Sequence, residues 1–132
     1  MRAVLADTGP LYALVDPDDQ YHRRAYAELR KLRKEQLPLM TSWSNVTEAY
    51  NLVLQELSIP KAQGWLRELT PRISLFNPSD EDYSEAARRL QRYSDQDISL
   101  VDAVLAVLSD QLQMPVWTFD HHFDVMRTRV WR

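Results

Sequence analysis

Cysteine is absent from the 132 residues, which removes disulfides, thiolate zinc sites and cysteine nucleophiles at once. Glycine is almost absent too, with only Gly9 and Gly64. Neither a phosphate-binding loop nor a dinucleotide fingerprint can be assembled from two such residues, so folds that depend on those loops are excluded. Long apolar runs are also missing. The first, Ala3 to Ala6, stops at Asp7; it is too short for a secretion signal, and no later run approaches a membrane span. A soluble, cytoplasmic protein is therefore expected. Charge of one sign is scarce, since 16 basic and 19 acidic residues leave −3, too small a balance to name or exclude a partner. Hydrophobic residues make up 45% of the chain, enough for one domain over 1–132 to bury a core without staples.

Apolar runs and helical stripes alternate along the chain. Arg2 to Ala6 reads as a buried strand ending in the turn Asp7-Thr8-Gly9-Pro10. A short helical piece follows over Leu11 to Val15. Asp18 and Asp19 suit a helix start, and Tyr21, Ala25, Leu29 and Leu32 then share one stripe. The other faces of that helix carry Arg23, Arg24, Arg30, Lys31, Arg33 and Lys34, a solvated face or a phosphate-contacting edge. Leu37 to Thr41 reads as a second strand, and Ser42 or Ser44 caps a helix to about Leu57. Lys61 to Leu69 forms another helix after the Ser58-Ile59-Pro60 break, and Arg72 to Phe76 a third, short strand. Asn77-Pro78-Ser79 opens a helix to Tyr93, and Asp97 or Ser99 caps the next one. Val116 to Phe119 is a strand stopping at Asp120, Phe123 to Met126 a helical turn, and Thr128 to Trp131 a last edge strand. Strands alternating with helices imply a mainly parallel α/β sheet covered on both faces.

Within this pattern the run Leu100 to Leu108 is apolar on every helical face except at Asp102. A helix of that kind is buried all round, and an ionised carboxylate inside it costs several kcal/mol unless something meets it. Asp7 and Asp120 each follow a buried strand, and ligands of open α/β sheets bind at the carboxyl ends of strands. Glu48 lies early in the helix after the second strand, and Asp102 early in the helix that feeds the Val116 strand. All four acids thus converge on one rim. Two carboxylates about 5 Å apart repel by roughly 3 kcal/mol at an effective dielectric near 20, against a whole-domain stability of about 5–15 kcal/mol. Four together must take up protons or bind cations. All-oxygen donors suit Mg²⁺ or Mn²⁺, and one or two such ions make a site for in-line attack of water on a phosphodiester.

Five stretches, taken in order, resemble the PIN domain family: Asp7-Thr8-Gly9-Pro10-Leu11, the Asp19 to His22 spacing, Thr41-Ser42 with Glu48, Asp97-Ile98-Ser99-Leu100-Val101-Asp102-Ala103, and Thr118-Phe119-Asp120-His121-His122-Phe123. The resemblance runs from about Ala3 to Phe123. It implies a three-layer α/β/α sandwich with a sheet of about five strands in the order 3-2-1-4-5. It also implies a metal-dependent ribonuclease, acting on RNA with Mg²⁺ or Mn²⁺, of the VapC toxin type held inactive by a cognate antitoxin, and a homodimer. By the same resemblance Asp7, Glu48, Asp102 and Asp120 are the catalytic and metal-site acids, with Thr8, Ser99 and Thr118 as supporting hydroxyls. The chain has surplus acids at Asp95, Asp97 and Asp124: Asp97 can cap a helix or support the site, and Asp124 is expected to be exposed.

Plainer readings stand beside these. Asp7 can be a turn former, Glu48 a surface acid, Asp120 a cap, and Asp102 a structural acid bonded to a hydroxyl or Arg. The adjacent His121 and His122 argue little for zinc, because neighbouring residues point apart and no Cys or third nearby His exists. The four tryptophans can stack on bases, or more simply fill core and interface. The alternative at the level of function is a catalytically silent scaffold of the same fold that binds RNA or protein. A receiver-type phosphoryl-transfer domain needs a Lys late in the chain, and none follows Lys61. An aspartyl phosphatase needs a second Asp where Gly9 stands.

Overall fold

In the computed structural model, which describes residues 3–132, the first strand is Val4–Ala6 (β1); Arg2, expected to begin it, lies outside the described residues. The turn expected at Asp7 to Pro10 is instead the first turn of Thr8–Val15 (α1). Pro10 is the third helical residue, where an amide has no intrahelical partner to lose, so the helix can start directly after Asp7. His22–Lys34 (α2) starts later than Asp18 and Asp19 suggest. Asp19 shapes the lead-in turn instead, its carboxylate accepting from the Tyr21 N–H at 2.9 Å.

Leu39–Ser42 (β2) passes straight into Trp43–Glu56 (α3). Ser42, not Ser44, is the cap, its Oγ accepting from the Asn45 N–H at 3.1 Å. Ile59–Leu69 (α4) takes Pro60 into its first turn under a Ser58 cap. After Ser74–Phe76 (β3), a reciprocal Ser79–Asp82 box opens Asp80–Arg92 (α5). Leu100–Leu112 (α6) is capped by Ser99 rather than Asp97, and every residue from Asp102 to Ser109 in it is buried. Val116–Trp117 (β4) and His122–Val125 (α7) complete the set.

The sheet is parallel in the order β3-β2-β1-β4. Alternation along β1 and β4 divides two cores. Val4, Ala6 and Trp117 face one side with Leu11, Ala25 and Ala49 of α1, α2 and α3. Leu5 and Val116 face the other, against α6 and Phe123. This is the α/β sandwich expected, with four strands where about five were anticipated. The fifth is reduced to a bridge between Val116 and Val130, closed by Val116 N–H to Arg129 O and Trp131 N–H to Val116 O, both 2.9 Å. β4 is two residues long, and the chain leaves the sheet at Thr118. The connections reverse direction between β1 and β4, and the ends of these two strands carry Asp7 and Thr118–Asp120.

Left-handed backbone falls at Gln36, Gln113 and Arg127, with φ of 58°, 55° and 59°; no described glycine has a positive φ. Gln113 ends α6. No helix among the described residues is long and apolar enough to cross a membrane.

Candidate functional site

At the carboxyl ends of β1 and β4 lies a cavity of about 620 Å³. Asp7, Glu48, Asp102 and Asp120 all line it, as do Thr8 and Ser99. Asp7 is there because it is both the residue after β1 and the cap of α1. Asp102 is there because Ser99, accepting from the Asp102 N–H at 3.1 Å, starts α6 at the cavity wall.

Thr118 holds two of the acids at once. Its hydroxyl donates to Asp7 Oδ2 at 2.8 Å and accepts from the Asp120 N–H at 2.9 Å. Asp7 Oδ1 also accepts from the Thr8 N–H at 2.8 Å. Asp120 Oδ1 accepts from the His122 N–H at 2.9 Å. Asn45 was not singled out from sequence as a site residue, yet it is fully buried beneath the cavity. Its Nδ2 reaches Thr8 Oγ1 at 3.0 Å and Asp7 Oδ1 at 3.4 Å, and its Oδ1 accepts from Ser42 Oγ at 2.6 Å. The available signal was its place one turn before Glu48 on the same face. Of the surplus acids, Asp97 lines the cavity. Asp124 is exposed and paired with Arg132 at 2.8 Å, as anticipated. Tyr12, Asp19, Tyr21 and Phe119 also line the cavity.

The two histidines do not point apart as expected for neighbours: their ring centroids are 4.4 Å apart. His122 Nδ1 lies 3.2 Å and His121 Nδ1 3.7 Å from Asp120 Oδ1, because the chain turns into α7 here instead of continuing as strand. His22 packs at the start of α2, with Nδ1 2.7 Å from Ala13 O.

Crowding sets the proton balance. Burial pushes the Asp7 carboxyl up to about 6; hydrogen bonds from Thr118 and Thr8 pull against this, while Asp120 and Glu48 add repulsion. Burial, followed by the charge of Asp7 and a hydrogen bond shared with Asp120, pushes Asp102 up to about 9. Burial also works against the Asp120 carboxylate. It is outweighed by the His122 N–H, the Asp102 hydrogen bond and the nearby imidazoles, and Asp120 stays below the ordinary range. Among the described residues, no Lys or Arg lines the cavity. The arrangement can therefore hold protons or bind a cation, and it offers oxygen donors to either.

Comparison with known proteins gives a consistent result. The sequence matches the family model described as PIN domain over residues 4–128. No curated protein matches it. Among solved structures, VapC20 of Mycobacterium tuberculosis, a sarcin–ricin loop cleaving toxin, superposes with a TM-score of 0.81 at 20% identity, covering 93% of this chain and 94% of that one. VapBC2 of Rickettsia felis, bound to a promoter DNA fragment, gives 0.75 at 15% identity over 98% and 97%. A toxin–antitoxin complex from Klebsiella pneumoniae gives 0.73 at 18% identity over 98% and 97%. With the parallel sheet, the acids gathered at the ends of β1 and β4, and a family match spanning nearly every described residue, the chain belongs to the PIN domain family.

Proposed function

We propose that the protein is a metal-dependent endoribonuclease that hydrolyses RNA phosphodiester bonds, and that it is the toxin of a toxin–antitoxin pair. The observation that carries the reading is the cavity in which Asp7, Glu48, Asp102 and Asp120 meet with no Lys or Arg among the described residues that line it. Two of these carboxyls are driven up by burial and mutual repulsion. A purely structural cluster of acids would be expected to carry its own counter-charge. The imidazoles of His121 and His122 stand beside Asp120, but no described Lys or Arg lines the cavity beside the other acids, so their counter-charge comes from outside. The toxins named above, similar in fold and of similar length, support the toxin reading.

The four carboxylates offer oxygen donors that fit Mg²⁺ or Mn²⁺, and Asp7, Glu48, Asp102 and Asp120 are the residues that would hold it, with the His121 and His122 nitrogens within 4.8 Å of the Asp120 carboxylate as further donors. When bound, such an ion supplies charge neutralisation at the phosphate and Lewis-acid activation of a water. The chain's own groups do the rest. Thr118 and Asn45 fix the Asp7 oxygens, so the carboxylate is oriented before any ligand arrives. Thr118 and the His122 N–H do the same for Asp120. Asp102 holds a proton against Asp120 and must release it for the four-acid set to act together. No side chain is required as a covalent nucleophile. One domain over 1–132, a cognate antitoxin, a homodimer and a cytoplasmic setting complete the proposal.

The test is cleavage of RNA by the purified protein with Mg²⁺ or Mn²⁺ against EDTA, alongside Asp102→Asn. Cleavage should need the ion and be lost in the variant. Cleavage that survives both EDTA and the substitution overturns the proposal. RNA binding without divalent binding or cleavage points to the silent scaffold.

A further inference from the structure

The acidic cavity faces its substrate with the wrong sign. Its charged lining consists of six acids, Asp19 and Asp97 among them, and two histidines. RNA carries a negative charge at every phosphate and must run on past the reacting one. Ions at the centre offset the four converging acids but not the approaches. A second groove, of about 170 Å³, adjoins the cavity and shares Phe119, Asp120 and His121 with it. It continues between the start of α2 and the Val130–Arg132 segment, and Arg24, Trp131 and Arg132 line it.

The groove combines what a single nucleic-acid strand needs. Arg24 lies over the Phe119 ring, 4.7 Å from its centroid, and Phe119 stacks on Tyr21 at 4.7 Å. The Arg24 and Arg132 side chains are 55% and 68% exposed, and each meets one acid, Glu28 at 2.9 Å and Asp124 at 2.8 Å. Exposed pairs of this kind are weak and screened, so a phosphate, a bidentate partner for guanidinium, can compete for both arginines. Aromatic faces between cations take unstacked bases, which only a single strand presents.

We infer that RNA continues out of the cavity along this groove as a single strand, with Arg24 and Arg132 meeting phosphates and the Phe119–Trp131 wall facing a base. The inference rests on the nuclease reading and adds the path and the form of its substrate. It also divides the basic helix α2. Lys31 lies over Trp131 at 5.1 Å, while Glu28 and Glu35 accept from the indole N–H groups of Trp117 and Trp131. That row fastens the helix, and Arg24 at its open end serves the groove.

The experiment is fluorescence anisotropy of a labelled 20-nucleotide oligouridylate, titrated across a series of salt concentrations with the full chain in an Asp102→Asn background that does not cut, with cleavage and Mg²⁺ binding measured on the same variants outside that background. The variants are Arg24→Gln with Arg132→Gln, and separately Trp131→Ala and Trp131→Phe. Removing two phosphate contacts should flatten the slope of log affinity against log salt by about 1.4, at about 0.7 per contact on single strands. It should also weaken binding about tenfold. Trp131→Ala should weaken binding about five- to hundredfold, with Trp131→Phe retaining most of the affinity. Arg92→Gln, an exposed cation on α5, should change nothing, and Mg²⁺ binding should match the wild type in every variant. An unchanged salt slope in the double variant overturns the inference and leaves the groove to a protein segment. An equal loss in Arg92→Gln, or no affinity in the Asp102→Asn parent, overturns it too. Variants that bind and cut like the wild type would remove the groove and leave the nuclease standing. Absence of metal-dependent cleavage in the wild type removes the nuclease, while the salt slopes still report on the groove.

Discussion

Thr118 does more for the site than its size suggests, since one hydroxyl both donates to Asp7 and accepts from the Asp120 amide. Thr118→Val keeps the shape and removes both bonds. Groups that orient metal ligands commonly contribute about 10–100-fold in affinity, so Mg²⁺ binding measured by calorimetry should weaken by that order with the fold retained. Unchanged affinity would show that the acids are placed without it. Individual residues were legible in the sequence to different degrees. Asp102 stood out because a lone acid in an apolar run needs a reason, and Asp7 and Asp120 because each ends a buried strand. Asn45 did not stand out. An amide in the first turn of an amphipathic helix has many uses, and this one is defined by partners 37 and 38 positions away in the chain. The shared orientation of His121 and His122 was hidden for a related reason. It depends on the chain turning into α7, which two adjacent letters do not encode.

At the scale of elements, helix starts do much of the positioning. Ser99 and Ser79 both cap a helix through the hydroxyl, accepting from the Asp102 and Asp82 N–H groups at 3.1 Å, Ser79 within a reciprocal box, but only Ser99 stands at the cavity. Ser99→Ala and Ser79→Ala should each lower stability by about 1 kcal/mol, read as similar drops in melting temperature. Only Ser99→Ala should also weaken Mg²⁺ binding, because it frees the turn that aims Asp102. Equal effects on binding would mean that α6 is held by its apolar contacts alone. The existence and order of elements could be read from periodicity, and the boundaries less well. Pro10 and Pro60 looked like breaks and sit inside first turns, where proline is tolerated. β4 looked four residues long because Thr118 and Phe119 have strand-like character. Only Val116 and Trp117 pair as strand, and the fifth strand is a single bridge.

The whole molecule carries the cost of its acidic site as a dependence on pH. Asp7 and Asp102 bind protons more tightly folded than unfolded. Their contribution is complete below the ordinary carboxylate range and is lost as pH rises through about 6 and about 9. Asp120, lowered on folding, runs the other way and loses its contribution in acid. The metal-free protein should therefore melt at progressively lower temperature from about pH 5 to about pH 9. Mg²⁺ should raise the melting point most at the alkaline end, where it no longer competes with protons. Asp102→Asn should make the metal-free protein more stable at about pH 9, by about 1–4 kcal/mol, and abolish most of the gain from Mg²⁺. A flat melting profile in EDTA would show that the acids do not crowd one another in solution. A second cost lies elsewhere in the fold. Gln36, Gln113 and Arg127 occupy left-handed backbone that glycine adopts without penalty, and none of the three lines the cavity. A chain that keeps glycine out of these joints has stability in reserve at places unconnected with its chemistry. Such a protein can absorb substitutions around its acids by relaxing its joints rather than surrendering its site.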